Sequence, residues 1–259
     1  MKNVLGMQAA IFDLDGVVTF TARVHAAAWK ELFDDFLRKR AEKGGGSFLP
    51  FDAELDYQRY VDGKPRIDGV VSFLATRSIA LPLGSPSDPP GTGTAWALGN
   101  RKNELFQNEL EQMGADVDEE AVRVIRELRL RGLPIGLASS SKNTPLILQR
   151  SNLGYLFDAV VDGNVSEQLG LKGKPEPDIF LHCLSELSSS ARPHNAMLVE
   201  DAISGVEAGR RGGFGLVVGV DRLRTGVLGD HGADWVISGF TNITADQLIK
   251  AFEWRVRAA

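Results

Sequence analysis

Six short apolar runs alternate with longer amphipathic stretches along most of this chain, and this alternation constrains its fold more than any other feature. Near-continuous apolar runs of this length are typical of strands buried on both faces of a parallel sheet. Strands that alternate with helices indicate a doubly wound α/β domain. The predicted strands are Gln8–Phe12, Leu133–Ala138, Ala159–Val161, Ala196–Val199, Gly215–Val220 and Asp234–Ile237.

Between the strands, apolar residues recur at helical spacing, and four segments end at or near glycine, asparagine or serine. Proline in the first turn is compatible with two of them, because the first backbone N–H groups of a helix have no intrahelical partner. The predicted helices of this part of the chain are Val122–Leu130, Pro145–Asn152, Pro177–Leu187 and Ala202–Arg211.

The region from about Val24 to Gln112 breaks the rhythm, since it contains helical patterns and no strand candidate. A loop rich in proline, glycine, serine and threonine, Pro82–Gly99, interrupts it. We expect residues 24–114 to form a small helical domain inserted after the first strand, with residues 1–23 and 115–259 forming the α/β core. The alternative is one helical lobe packed permanently on the sheet. The helical patterns are Val24–Arg40, Ala53–Tyr60, Ile67–Arg77 and Arg101–Met113.

Composition excludes several classes of protein. The formal net charge of −5, without a long basic run, argues against nucleic acid as a partner. A single cysteine, Cys183, excludes an intrachain disulfide and a cysteine-built metal site, and its apolar surroundings in the sequence predict a buried thiol. No apolar run reaches the roughly 18 residues of a membrane-spanning helix, and the N-terminus has no signal-peptide pattern. A cytoplasmic protein is expected.

Polar side chains follow the predicted strands at the edge where ligands bind in an open parallel sheet. Asp13 and Asp15 follow the first strand, Ser139 opens the segment after the second, and Glu200 and Asp201 follow the fourth. Because neighbouring carboxylates repel one another, a cation must lie among them, and Mg²⁺ is the first candidate. A lysine, at position 174, lies in a proline-bounded loop between the third and fourth strands.

This set of residue types suits phosphoryl transfer. A divalent ion and a lysine neutralise the charges that would otherwise keep a phosphate away from a carboxylate nucleophile. Backbone N–H groups and a hydroxyl at a helix start can bind phosphoryl oxygens. A carboxylate nucleophile forms an aspartyl phosphate, and a second carboxyl group can move a proton to or from the bridging oxygen.

The same residues resemble the four motifs of the haloacid dehalogenase superfamily of phosphotransferases. Each motif alone is weak to moderate, but all four occur in the family's order. The resemblance covers nearly the whole chain and implies a Rossmann-like, doubly wound parallel sheet with an inserted α-helical cap domain. The motifs are Asp13-Leu14-Asp15-Gly16-Val17, Ser139 in Leu137–Asn143, Lys174 in Gly173–Asp178, and Glu200-Asp201.

The resemblance also implies roles for these residues. Asp13 would be the nucleophile and Asp15 the general acid and base, while Ser139 and Lys174 would bind phosphate. The metal ligands to Mg²⁺ would be Asp13, Asp15, Glu200 and Asp201.

Within the superfamily the chain is most similar to the β-phosphoglucomutase-like branch. One departure is clear, because Asp62 stands where that branch usually has a lysine, and Lys64 follows the glycine instead. The implied substrate-binding residues are Thr21, His25, Gly63, Lys64, Arg66, Lys102, Ser141, Lys142 and Asn143.

Three functions follow as hypotheses. The first is a monomeric mutase that interconverts β-glucose 1-phosphate and glucose 6-phosphate through a bisphosphate. The second is a Mg²⁺-dependent sugar-phosphate phosphatase, which would use every core residue of the first and transfer the phosphoryl group to water. The third is a non-catalytic sugar-phosphate sensor or a receiver-like module. The expected partner is a phosphorylated sugar substrate, without nucleic acid or membrane.

Overall fold

The computed structural model describes residues 6–188 and 191–258. The chain divides into two compact units, one formed by Met1–Phe20 with Asp116–Ala259 and the other by Thr21–Ala115. The helical unit is therefore inserted into the other one after its first strand. Within the described residues, no helix has both the length and the apolar character needed to span a bilayer.

The first unit contains a six-stranded sheet in the order β3-β2-β1-β4-β5-β6, in which all neighbouring strands are parallel. All six predicted strands are confirmed, with ends that differ from the prediction by two residues or fewer. The strands are β1 (Ala9–Phe12), β2 (Ile135–Ala138), β3 (Ala159–Val161), β4 (Ala196–Glu200), β5 (Leu216–Val220) and β6 (Trp235–Ile237).

Helices connect these strands and also build the inserted unit. Short π-helical and 3₁₀ segments at Tyr57–Val61, Gly154–Leu156 and Pro193–Asn195 complete the regular structure. The α-helices are α1 (Ala22–Glu42), α2 (Arg66–Thr76), α3 (Ala95–Met113), α4 (Glu119–Leu130), α5 (Thr144–Ser151), α6 (Gly163–Leu169), α7 (Asp178–Leu187), α8 (Ile203–Arg211), α9 (Val227–Asp230) and α10 (Ala245–Ala258).

The burial of the strands explains why their sequences are almost entirely apolar. Every residue of β1, β2, β4 and β5 is buried, as expected for the central strands of a sheet covered by helices. Phe180 and Cys183 of α7 lie in one apolar cluster with Ile11 of β1 and Leu198 of β4. The prediction of a buried thiol at Cys183 is confirmed.

The inserted unit has its own aromatic core. The ring of Phe33 on α1 lies with its centroid 4.1 Å from that of Phe73 on α2 and 5.3 Å from that of Phe51. Trp29, one turn before Phe33, stacks on it at 5.2 Å. Aromatic side chains at i and i+4 share one helix face, so the sequence of α1 directs them into one cluster.

Two predictions within the inserted unit are wrong in their bounds. The segment predicted as a helix over Ala53–Tyr60 forms the π-helix Tyr57–Val61. The helix predicted to start at Arg101 starts at Ala95, because the hydroxyl of Thr94 accepts a hydrogen bond from the backbone N–H of Ala97 and caps the helix. The predicted loop therefore ends five residues earlier.

Candidate active site

The carboxyl ends of β1 and β4 adjoin at the point where the strand order reverses, which is where open α/β sheets bind ligands. Asp13 follows β1, and its backbone N–H donates to the carbonyl of Val199 in β4 at 3.0 Å. Glu200 is the last residue of β4. Both acidic side chains are buried. The parallel sheet thus brings together two carboxylates that are far apart in the sequence.

Lys174 links these two carboxylates. Its Nζ donates to Oδ1 of Asp13 at 2.6 Å and to Oε1 of Glu200 at 2.5 Å. The other oxygen of Glu200 accepts the backbone N–H of Ala202 at 2.7 Å. The lysine is itself buried, with Nζ 4.8 Å from the ring centre of Phe180. A single ammonium therefore holds two buried acids in fixed positions.

The charges at this site shift the pKa values of both partners. Burial raises the pKa of Asp13 well above its ordinary value, and the nearby charges of Glu200 and Asp15 raise it further, whereas Lys174 opposes the shift. Burial would lower the pKa of Lys174, but the charges of Asp13 and Glu200 outweigh it and raise that pKa. One lysine among several carboxylates leaves a local excess of negative charge, which a cation can offset.

Gly16 allows a further carboxylate to approach. Its φ of +84° lies in the left-handed region, and a Cβ built on it would overlap the carboxylate of Asp201. Any other residue would therefore be strained in its backbone and would displace Asp201. The turn is closed by the backbone N–H of Gly16, which donates to the carbonyl of Thr19 at 2.7 Å.

Ser139 follows β2 and lies beside Asp15. Its hydroxyl donates to Oδ2 of Asp15 at 3.4 Å and accepts the backbone N–H of Ser141 at 3.1 Å. The hydroxyl of Ser141 in turn accepts the backbone N–H of Asn143, at the start of α5, at 3.2 Å. The Nζ of Lys142 forms an ion pair with Glu167 of α6 at 2.7 Å.

In the inserted unit, three of the predicted substrate-binding residues form one cluster. The Nζ of the buried Lys102 lies 2.5 Å from Nδ1 of His25 and 4.8 Å from the ring centre of Phe106. The imidazole stacks on the same ring with centroids 4.1 Å apart. The backbone N–H of His25 donates to the carbonyl of the buried Thr21 at 2.9 Å.

The other predicted substrate-binding residues of this unit lie at the start of α2. Gly63 has a φ of +68°, and the Nζ of Lys64 lies 3.2 Å from the hydroxyl of Ser72. Nη2 of Arg66 lies 3.5 Å from Oδ1 of Asn100 on α3. These residues form the second group of predicted substrate-binding residues in the inserted unit.

Two charged residues that contact the turn after Asp15 were not predicted from the sequence. Arg222 donates to the carbonyl of Gly16, and Asp118 accepts from Arg222. The position of Arg222 in the sequence could have indicated it. It comes two residues after the carboxyl end of β5, just as the acidic motifs follow the carboxyl ends of β1 and β4. Asp118 precedes two glutamates, which is the pattern of a helix N-cap. This pattern does not indicate that Asp118 also binds Arg222.

The family model of the haloacid dehalogenase-like hydrolases matches residues 7–213, which include every motif described above. The chain belongs to this family. The resemblance to the haloacid dehalogenase superfamily is thereby confirmed, and the strand order confirms the doubly wound sheet. Together with the relatives described next, the family shows that the chain is an enzyme, either an isomerase or a hydrolase.

Individual relatives give named enzymes in addition to the family. The β-phosphoglucomutase of Mycobacterium bovis is 42% identical over 250 residues, covering 93% of this chain and 95% of the relative. That of Bacillus subtilis is 31% identical over 253 residues, covering 97% and 98%. A crystal structure of the β-phosphoglucomutase of Clostridium difficile has a TM-score of 0.74 at 21% identity, covering 97% of this chain and 99% of that one. At that identity, the structure shows the fold alone.

Proposed function

We propose that this protein is a β-phosphoglucomutase-like phosphotransferase that interconverts β-glucose 1-phosphate and glucose 6-phosphate through an aspartyl phosphate and a bisphosphate. The main observation in support of phosphoryl transfer is the ion pair between Asp13 and Lys174 at the switch point of the sheet. The likeness to mutases over nearly the full length of the chain supports the sugar phosphate as substrate.

Asp13 is the proposed nucleophile. Its carboxylate oxygen attacks phosphorus, the bond between phosphorus and the leaving oxygen breaks, and an aspartyl phosphate forms. Lys174 favours the ionised form of Asp13, because its charge opposes the rise in pKa that burial causes, and it would offset the negative charge that develops during the attack. In the second transfer, a sugar hydroxyl attacks the aspartyl phosphate and Asp13 is released as the carboxylate.

Asp15 is the proposed general acid and base. It takes the proton of the attacking sugar hydroxyl in one direction and returns a proton to the leaving oxygen in the other. The hydrogen bond from Ser139 orients its carboxyl group. Ser139 and Ser141, with backbone N–H groups before α5, are proposed to bind phosphoryl oxygens, together with Asn143 and Lys142.

The donor set of the site fits Mg²⁺. Among residues 6–188 and 191–258, no three His, Cys, Asp or Glu side chains form a ready-made metal cage. Mg²⁺ is usually held by one or two carboxylates with water and substrate phosphate, so a complete protein cage is not required. We propose that Asp13, Asp15, Glu200 and Asp201 would hold the ion. When bound, the ion would neutralise charge on the phosphoryl oxygens.

We propose that the inserted unit acts as the cap and recognises the sugar phosphate. Arg66 carries a planar guanidinium that can bind a second phosphate through two parallel hydrogen bonds. Gly63 and Lys64 would shape the same loop, while Thr21, His25 and Lys102 form the second recognition group. The cytoplasmic location and the monomeric state stay predictions from the sequence.

Hydrolysis is the second candidate function. The matching family model describes hydrolases, and Asp62 replaces the lysine usual in the mutase branch. The core residues would form the same aspartyl phosphate in the first step. In the second step, water would attack it in place of the sugar hydroxyl. Which acceptor is used depends on how well water is excluded from the aspartyl phosphate.

A single assay distinguishes these functions. Purified protein is incubated with Mg²⁺, β-glucose 1-phosphate and a trace of glucose 1,6-bisphosphate, and both glucose 6-phosphate and inorganic phosphate are measured. We expect glucose 6-phosphate to accumulate and to depend on the bisphosphate, and Asp13→Asn to abolish the reaction. Release of inorganic phosphate without glucose 6-phosphate would replace the mutase by the phosphatase. An Asp15→Asn protein with full turnover would contradict both enzymatic functions.

A further inference from the structure

Arg222 connects the segment after β5 to the turn that follows the acidic motif. It lies two residues after β5, and its Nε donates to the carbonyl of Gly16 at 2.7 Å. Its Nη2 donates to the next carbonyl, that of Val17, at 3.2 Å. One planar guanidinium therefore fixes two consecutive peptide groups.

The same guanidinium is held from two other sides. Nη2 also donates to Oδ2 of Asp118 at 2.7 Å, and the guanidinium carbon lies 4.5 Å from the ring centre of Phe20. Asp118 is itself fixed, because its Oδ1 accepts the backbone N–H groups of Glu120 and Ala121 in the first turn of α4. The side chain of Arg222 is 25% exposed, so these hydrogen bonds are partly shielded from water.

The turn held by Arg222 adjoins two of the proposed site residues. Gly16 follows Asp15 directly, and its α-carbon lies against the carboxylate of Asp201. Rotation of the peptide group between Gly16 and Val17 would therefore shift both acids. A displacement of about 1 Å in a catalytic group can cost on the order of 100-fold in rate.

The segments beside this turn are the two connections to the inserted unit, and they pair with each other. Thr19 forms an antiparallel bridge with Val117. The backbone N–H of Phe20 donates to the carbonyl of Asp116 at 2.8 Å, and that of Asp118 donates to the carbonyl of Val18 at 2.9 Å. Through Asp118 and the Gly16–Val17 carbonyls, Arg222 bonds to both connections at once.

We propose that Arg222 is a positioning residue for phosphoryl transfer. By holding the carbonyls of Gly16 and Val17 against Asp118, it fixes Asp15 and Asp201 in the arrangement that the reaction and Mg²⁺ require. Lysine cannot replace it fully, because an ammonium lacks the flat fork that serves two carbonyls and a carboxylate together. This inference rests on the proposed function of Asp13 as phosphoryl acceptor.

The test uses acetyl phosphate as a small phosphoryl donor, because its turnover needs no sugar. Arg222→Met and Arg222→Lys are compared with the wild type and with Arg224→Met, which removes a charge from an exposed position of the same loop. We expect Arg222→Met to lower kcat on the order of 10- to 100-fold with KM within about twofold. Arg222→Lys should lie between it and the wild type, and Arg224→Met should match the wild type.

The second readout is independent of turnover. Calorimetric titration with Mg²⁺ alone should show weaker binding to Arg222→Met, by about fivefold, and unchanged binding to Arg224→Met, since about 1 kcal/mol corresponds to a factor of five. If Arg222→Met does not fold, Arg222→Lys decides, with at least a threefold loss of kcat expected.

Two results would overturn the proposal. One is a folded Arg222→Met or Arg222→Lys protein with kcat and Mg²⁺ affinity within twofold of the wild type. The other is a lowered melting temperature with unchanged kcat, which would mean that Arg222 only stabilises the fold. If wild-type protein fails to turn over acetyl phosphate, the proposed function of Asp13 fails, and the Mg²⁺ titration still decides the role of Arg222.

Discussion

The Nζ of Lys174 lies 2.6 Å from Oδ1 of Asp13, and the side chains of the two residues are 0% and 6% exposed. The lysine comes from the loop before α7, and the aspartate follows β1. A buried ion pair of this kind is weak support for stability, because the desolvation of both charges opposes their attraction. Its position at the switch point of the sheet is where the proposed phosphoryl transfer would take place.

Replacing Lys174 by methionine should abolish most of the activity. The buried carboxylates of Asp13 and Glu200 would lose their shared cation, so we expect turnover of acetyl phosphate to fall on the order of 100- to 1,000-fold. Unfolding by urea should show a loss of about 3 kcal/mol, because the remaining buried charges are uncompensated. Lys172→Met changes an exposed lysine of the same loop and serves as the control. Equal turnover by the two variants would contradict this role.

The stability deficit of Lys174→Met should depend on pH. Because the pKa of Asp13 in the folded protein exceeds its ordinary 3.8, the folded state holds this proton more tightly than the unfolded state. The contribution of Asp13 to stability is therefore greatest below pH 3.8 and declines as the pH rises through the folded-state pKa. Lys174 opposes the rise in the pKa of Asp13, so without Lys174 this loss of stability with rising pH is larger. Urea titrations with a chelator should thus show a greater deficit at pH 7 than at pH 4.

A methyl group at Gly16 should disrupt the site, whereas the same change at Gly132 should not. The two glycines have similar φ values, +84° and +80°, so replacement by alanine strains both backbones by roughly 1–2 kcal/mol. Only at Gly16 would the new Cβ overlap Asp201, since nothing lies within 4 Å of a Cβ at Gly132. We expect Gly16→Ala to lose activity and Mg²⁺ affinity, measured by turnover and calorimetry, and Gly132→Ala to lose stability alone. Matching Mg²⁺ affinities in the two variants would show that Asp201 is not held through Gly16.

Cys183 should be unreactive in the native protein. Burial raises the pKa of its thiol to about 12, so very little reactive thiolate exists at pH 8. A thiol reagent that absorbs on reaction should label one thiol per chain rapidly in guanidinium chloride and only very slowly in buffer. Rapid labelling of the native protein at pH 8 would place Cys183 outside the core.

Much of the sheet could be predicted because a central strand of a parallel sheet is apolar at every position. The C-terminal helix α10 was not predicted, although its sequence shows helical spacing, with Leu248 and Phe252 four residues apart and both buried. The start of α3 was misplaced because its cap, Thr94, lies in a loop of similar composition. Local patterns indicate that an element exists more reliably than where it begins.

The acidic motifs could be recognised as site candidates, since they follow strands whose carboxyl ends must meet. The hydrogen bonds of Arg222 to Gly16 and Asp118 could not, because partners separated by 206 and 104 residues leave no pattern in the local sequence. The ion pair of Lys142 with Glu167 could not be predicted either, because the two residues belong to different segments of the chain.

The amino-acid sequence by itself determined the succession of strands and helices, the inserted helical segment and the family motifs. Each of these depends on the spacing of apolar residues or on residues that are adjacent in the chain. The tertiary structure alone decided which charges meet: Lys174 with Asp13 and Glu200, Asp201 against Gly16, and Arg222 on the turn after Asp15. The physical reason is that side-chain contacts across a sheet depend on how the strands are ordered and registered, and these arise only when the whole core is packed.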